Sequence, residues 1–242
     1  TELQITRFES VLWPKPWTLD QFRRLLGRDH LFMTWLQNTL IISLVTPLIS
    51  TLAASLGAYA ITRLRWRGAR FLGNAALVFY LMPTVLLVLP ISQLLMRWGL
   101  VNTRLSLIIA YPALTVPFAI WLMMGYYGSF PEEIEDAALI DGCDRWRAFG
   151  WVVLPLSRPA LVAAALFSFS QVWSEFLLAY SLIFSSSKMT IPQGLGQMIF
   201  GDVLPWGQLS ASSLLVAVPV LAIYLLGQRF MVTGLTRGAV RG

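Results

Sequence analysis

Long apolar runs without charge constrain this chain more than any other feature. Residues 39–61, 71–96 and 105–130 contain no Asp, Glu, Lys or Arg. Residues 159–183 carry one charge, Glu175, and residues 210–227 are charge-free and followed closely by Arg229. A membrane-crossing helix needs about 20 mostly apolar residues, so five spans are expected. They must be helices, because an open sheet edge cannot satisfy its backbone in lipid and the runs do not alternate as barrel strands do. The chain is 57% hydrophobic and 12% charged, against about 45–50% and 25% in soluble domains. The expected fold class is therefore all-α integral membrane.

The 18 Lys and Arg against 12 Asp and Glu fit the ends of membrane spans better than a nucleic-acid surface, since the aromatics lie mainly inside the apolar runs. Cys143 is the only cysteine, which excludes an internal disulfide; it reads as a small packing residue.

Orientation follows from the short loops. Arg63, Arg65, Arg67 and Arg70 crowd the first loop, whereas the second has Arg97 and Arg104 and the last external one only Lys188. Placing the arginine loop in the cytoplasm gives the larger basic count inside. Residues 1–36 are then an external segment and residues 37–242 the membrane domain, with 128–158 a cytoplasmic insert and 184–209 an external loop. An external start with five basic residues predicts a further membrane helix upstream of Thr1, six in all. Pro47, Pro83, Pro90, Pro112 and Pro117 fall within spans and are expected to kink them.

The cytoplasmic insert contains EDAALIDGCDRWRAFGWVVLP, residues 135–155. Ser129 and Glu132 have capping-box spacing before a helix whose first turn is acidic. Gly142 suits its C-terminal stop, and a second short helix is expected from Asp144 towards Val153, stopped by Pro155. Ile134, Ala137, Ala138 and Asp141 share one face at i, i+3, i+4, i+7 spacing. Trp146, Phe149 and Trp151 beside Arg145 and Arg147 fit either a docking surface for a protein partner or an amphipathic loop lying on lipid.

The run Asp136-Ala137-Ala138-x3-Gly142-x9-Val152-x-Leu154-Pro155 resembles the EAA loop of binding-protein-dependent ABC importer permeases, with Asp for the usual Glu and Val for the usual Ile. WPKPWTLDQFRRLL, Asn38-Thr39, TRLRWRGARF and the ending GLTRGAVRG at residues 234–242 are similar to the carbohydrate, maltose-type branch of that family. The last match implies that the chain ends at its natural C-terminus. The resemblance implies a type I importer permease fold with a helix-turn-helix EAA loop. It also implies a second homologous permease, a cytoplasmic ATPase dimer that carries the ATP and Mg, and an extracytoplasmic binding protein or lipoprotein that delivers a sugar. ATPase coupling would fall to Glu135, Asp136, Ala137, Ala138, Asp141, Gly142, Arg145, Trp146, Leu154 and Pro155. The chain lacks G-x4-G-K-[S/T], so it is not expected to hydrolyse ATP itself, nor to bind a cofactor or metal.

Gln171, Trp173, Ser174 and Glu175 are candidates for the substrate path, because an ionisable residue in a span usually faces a cavity or a partner. An inter-helix or inter-subunit salt bridge of Glu175 is the competing reading. By position in the maltose-type relatives, Pro192, Gln193 and Gly194 are candidates for binding-protein contact; a short re-entrant connector is the alternative. A membrane enzyme is poorly supported with His30 the only histidine. A secondary transporter would need more intramembrane carboxylates than Glu175. A permease for a non-sugar solute, such as a polyol phosphate or an amino acid, remains the nearest alternative.

Overall fold

The structure, a computed structural model, describes residues 18–27, 30–64, 66–129, 131–199 and 205–238, and for residues 70 and 231–238 the backbone alone. All regular elements among the described residues are helical. The short helix α1 (Asp20–Leu25) precedes the central helix α2 (Phe32–Arg63). Next come α3 (Ala69–Tyr80), α4 (Thr84–Arg97), α5 (Arg104–Ala110) and α6 (Pro112–Gly128). The polar insert supplies α7 (Glu133–Ile140), α8 (Arg145–Ala148), a π-helical turn (Phe149–Val153) and α9 (Leu154–Leu156). Finally α10 (Arg158–Ser174), α11 (Leu177–Leu182), α12 (Ile191–Gln197) and α13 (Trp206–Gly238) complete the bundle.

Among the described residues, three helical stretches are long and apolar enough to cross a membrane: Phe32–Arg63, Arg104–Gly128 and Trp206–Phe230. Counting each of two bent pairs as one span brings the number to five, the number expected, although the second pair joins Arg145–Leu156 of the insert to Arg158–Ser174. The second expected span is broken rather than continuous: Phe71–Tyr80 and Thr84–Arg97 meet at 101°. Pro83 sits in the break with ψ 126°, where it can neither donate a backbone bond nor let the preceding residue stay helical. Pro47, Pro90 and Pro117 lie inside helices, whereas Pro112 stands at the first turn of α6. Of the expected external segment, residues 1–17 lie outside the described residues. Helix α2 starts at Phe32, ahead of the expected boundary at residue 37.

Helix α2 is the spine. It packs on α6 and α10 along a buried stripe of small and hydroxylated residues that includes Ser43, Thr46, Ser50, Ala54, Ser55 and Ala58. Small side chains let membrane helices approach closely, and hydroxyls then need partners across the interface. Ser50 pairs with Thr115 at 2.7 Å, and Ser55 with Tyr127 at 2.6 Å.

The two ends of the bundle have separate cores. Phe32, Trp35, Ile42, Leu107, Tyr111 and Leu182 belong to one. Tyr59, Met123, Tyr127, Phe149, Val153 and Ala164 belong to the other. The second end carries both the arginine-bearing end of α2 and the polar insert, so these lie on the same side, as the loop charges require.

At the first end the chain between α11 and α12 is tied down from several directions. The Asn38 amide donates to the carbonyls of Ser187 (3.0 Å) and Met189 (2.8 Å). The Thr39 hydroxyl accepts from Ile191 N at 2.8 Å, and the Trp35 indole donates to Ser186 O at 2.7 Å. Asn102, in a left-handed conformation (φ 60°), accepts from Phe184 N and Ser185 N through its side chain. Its carbonyl accepts from Lys188 Nζ at 2.8 Å. Asn38→Ala is expected to strand buried carbonyls at a cost of about 1–3 kcal/mol. Thermal melting in detergent should register this as a loss of about 2–4 °C per kcal/mol; an unchanged Tm would remove these bonds from any structural role.

Candidate functional site

The insert is built on one buried carboxylate. Glu135 is 7% exposed, and burying an unmatched charge is costly. Its carboxylate accepts a short hydrogen bond from the Tyr59 hydroxyl and lies 3.7 Å from Arg63 Nε. The Arg63 guanidinium also donates to the carbonyl of Tyr127 at 3.0 Å and stands 3.7 Å from Glu132. Tyr59 packs its ring against Phe149 (4.8 Å between centroids) and edge-on to Tyr127 (6.4 Å). One network therefore joins the ends of α2 and α6 to α7 and the π-helical turn. Tyr59 and Arg63 escaped sequence reasoning; their signal was an i, i+4 pair at the end of a span, opposite the i, i+3 pair Glu132 and Glu135.

Local chemistry shapes the rest of the insert. The expected capping box is absent: Ser129 continues the α6 backbone (φ −84°, ψ −12°) and turns its hydroxyl back to Tyr126 O at 2.6 Å. Gly142 does close α7. With φ 90° it is left-handed, and Cys143 N bonds to Ala138 O at 3.0 Å while Gly142 N reaches Leu139 O, the pattern of a glycine C-cap. Asp144 then caps α8, its Oδ1 accepting from Arg147 N at 2.7 Å. Pro155 does not end this segment as expected. It offers no N–H to Trp151, and the helix widens upstream, with Leu154 N bonding to Phe149 O. The segment runs on to Leu156 and bends by 76° into α10.

The face assigned from spacing is partly rotated. Ala138 turns inward together with Glu135, whereas Ile134, Ala137, Asp136 and Asp141 are exposed. Ile140 is 85%, Trp146 76% and Trp151 70% exposed. Arg145 is exposed, Gly142 is exposed at the turn, and Leu154 and Pro155 are half-buried. An anchored carboxylate thus holds up a surface of large apolar side chains edged by Asp136, Asp141 and Arg145.

The four residues expected on a substrate path differ in exposure. Trp173 is buried against Phe169, with ring centroids 5.3 Å apart. Gln171 is half-buried, and the exposed Ser174 donates to its own helix at Ser170 O. Glu175 breaks the fourth span: in extended conformation (φ −70°, ψ 130°) it accepts from Leu178 N and Ala179 N and so caps α11. Its carboxylate also faces the buried Tyr111 side chain of a neighbouring helix, and among the described residues it forms no salt bridge. A more open cleft of about 500 Å3 lies elsewhere, between α2, α3 and α6, with Asn74 and Trp121 in its wall.

Gln193 and Gly194 are also placed differently from expectation. Gln193 is 2% exposed and donates to Ile183 O at 2.8 Å. Gly194 lies so close to Trp35 that a Cβ would stand 2.2 Å from its ring. Pro192 is half-buried. The segment forms α12, an internal connector packed on α2, so these side chains secure the loop rather than coat its surface.

The helices and the anchored polar loop define a multi-span helical membrane bundle, and comparison with known proteins gives its family. Residues 48–233 match the model of binding-protein-dependent transport system inner membrane components, and the chain belongs to that family. It is 32% identical over 233 residues to the inner membrane ABC transporter permease protein YcjP of Escherichia coli strain K12, covering 96% of this chain and 83% of that protein. It is also 32% identical to the trehalose/maltose transport system permease protein MalG of Thermococcus litoralis, covering 93% and 82%. The trehalose transport system permease protein SugB of Mycobacterium tuberculosis is 34% identical, with 97% and 86% covered. Among solved structures, a bacterial ABC transporter involved in import of the polysaccharide alginate superposes with a TM-score of 0.74 at 23% identity, covering 87% of this chain and 78% of that one. That likeness confirms the permease fold. The chain is a non-catalytic, multi-pass permease subunit of the ABC importer type.

Replacing Gly142 by Val forces a β-branched residue into the left-handed region, at a cost of about 1–2 kcal/mol or more. Hydrogen exchange at the Cys143 amide is expected to rise about tenfold for each 1.4 kcal/mol. Gly150→Ala, where a Cβ meets nothing within 4 Å, should leave it unchanged. Equal protection in both variants would contradict the cap.

Proposed function

We propose that this chain forms half of the translocation pathway of an ATP-driven sugar importer and receives its energy through the 128–158 insert. The supporting observation is the exposed surface of Ile140 and Trp146 beside Asp136, Asp141 and Arg145, held on an anchored loop. Apolar side chains of this size, ringed by charge, favour a protein partner: large aromatics and Arg dominate interface energetics. The partner is a cytoplasmic ATPase dimer that binds ATP and Mg. The relatives' names support a sugar cargo, since they include trehalose, maltose, diacetylchitobiose and arabinooligosaccharide systems.

A second, homologous permease completes the pathway, and an extracytoplasmic binding protein or lipoprotein delivers the sugar at the end carrying Lys188 and α12. The bundle alternates between inward- and outward-facing states in the cytoplasmic membrane of a bacterium or archaeon. ATP can drive this only by binding differently to the two states, so the insert must feel the ATPase's change of shape. The family speaks against secondary transport on an ion gradient, which would also need more intramembrane carboxylates than Glu175.

Trp146→Ala combined with Ile140→Asp is expected to weaken ATPase binding by at least about 2 kcal/mol, or roughly thirtyfold. Both side chains are exposed, so the melting temperature of the isolated permease should stay within about 1–2 °C of wild type. Co-purification with the ATPase and the melting curve check the two parts. Undiminished association would sink the docking assignment. Uptake assays with labelled trehalose, maltose and diacetylchitobiose test the cargo class.

A further inference from the structure

The Tyr59–Glu135–Arg63 network does more than position a loop at rest. Three elements meet in it: α2 through Tyr59 and Arg63, α6 through the Tyr127 carbonyl, and α7 through Glu132 and Glu135. The Arg63 side chain is 8% exposed and that of Glu135 9%. Apolar side chains of similar volume often stabilise such a site as well or better, whereas losing one partner of a buried pair is strongly unfavourable. An ionic joint is therefore poor at adding stability and good at penalising separation. The Tyr127 carbonyl is among the last of α6, where a cation is favoured by the helix dipole, so Arg63 is held to that end as well.

We infer that Tyr59, Arg63 and Glu135 are positioning residues that lock α7 to the ends of α2 and α6, so that displacement of the insert is transmitted to the spine of the bundle. The inference rests on the proposal that the insert docks an ATPase. The lock works through geometry. If α7 moves alone, Glu135 leaves its hydroxyl donor and its guanidinium while still shielded from water. Moving α2 along with it preserves the contacts of Glu135 with Tyr59 and Arg63. Hinge motion within the insert is thereby disfavoured against motion of insert and spine as one unit.

The test uses the assembled complex of permeases and ATPase, with Mg·ATP and vanadate as the probe and hydrogen exchange as the readout. Wild type, Glu135→Gln and Tyr59→Phe are compared. Tyr59→Phe keeps the ring packed between Phe149 and Tyr127 and removes only the hydroxyl, so it guards against misfolding of the first variant. In wild type the nucleotide should alter exchange both in residues 133–156 and in residues 55–64, the latter by about tenfold, equivalent to about 1.4 kcal/mol. In both variants the insert should still respond, while the response at residues 55–64 falls below about twofold. A full response at residues 55–64 in the variants would overturn the inference while leaving docking intact. No nucleotide response of the insert in wild type would overturn docking itself, and the inference with it. If both variants fail to bind the ATPase, the network serves assembly alone and the inference is wrong.

Discussion

Charge burial at the end of a membrane helix governs the layout of this protein. Glu135 would be untenable at its depth without Tyr59 and Arg63, and Arg63 needs the anionic pair and the end of α6 in return. Matching these groups fixes where the polar insert meets the bundle, how α7 is rotated and which of its side chains remain outside. The inward turn of Ala138 and the outward turn of Ile140 both follow from Glu135 taking the buried position. Phe149 closes the same site from the far side, carrying α8 and its exposed Trp146 with it.

The opposite end solves a different problem with different chemistry. There the difficulty is irregular backbone, which lipid cannot hydrate. Trp35, Asn38, Thr39, Asn102 and Gln193 supply side-chain donors and acceptors to the turn after α11, so α12 can fold back into the bundle. Between these two ends, the buried face of α2 is mostly small residues and hydroxyls. The spine is consequently close-packed along its length and polar-clamped at both termini, which suits a helix that must carry displacement from one side to the other.

Much of this was legible in the sequence because membrane constraints are coarse. Charge-free runs marked the five spans, loop arginines placed the insert beside the end of α2, and the spacing from Asp136 to Pro155 with Gly142 identified the loop and its turn. Errors arose where a residue's role depends on a distant neighbour. Ser129 had capping-box spacing, yet its hydroxyl found the Tyr126 carbonyl first. Glu175 stood out as a charge within a span, but its bonds to the backbone N–H groups of α11 were not visible in its spacing. Gln193 and Gly194 lie in a polar loop by composition and inside the protein by packing, a consequence of Trp35, more than 150 positions away. Glu135 was picked for the loop, but its partners could not be read from spacing, since two spans lie between them.

Rigid attachment of the insert to α2 can be measured directly as a distance. Spin labels at positions 64 and 133, both exposed and both outside the proposed docking surface, in a Cys143→Ser background, report the separation between the end of the spine and the first turn of α7. The separation is to be compared in the assembled complex without nucleotide and with Mg·ATP and vanadate. If insert and spine move together, the distance distribution stays within about 2 Å, the scale of shifts inside a packed interface. A displacement of about 5 Å, one helical turn, would show that the insert hinges on its own and would contradict the buried Glu135 network as the joint between them.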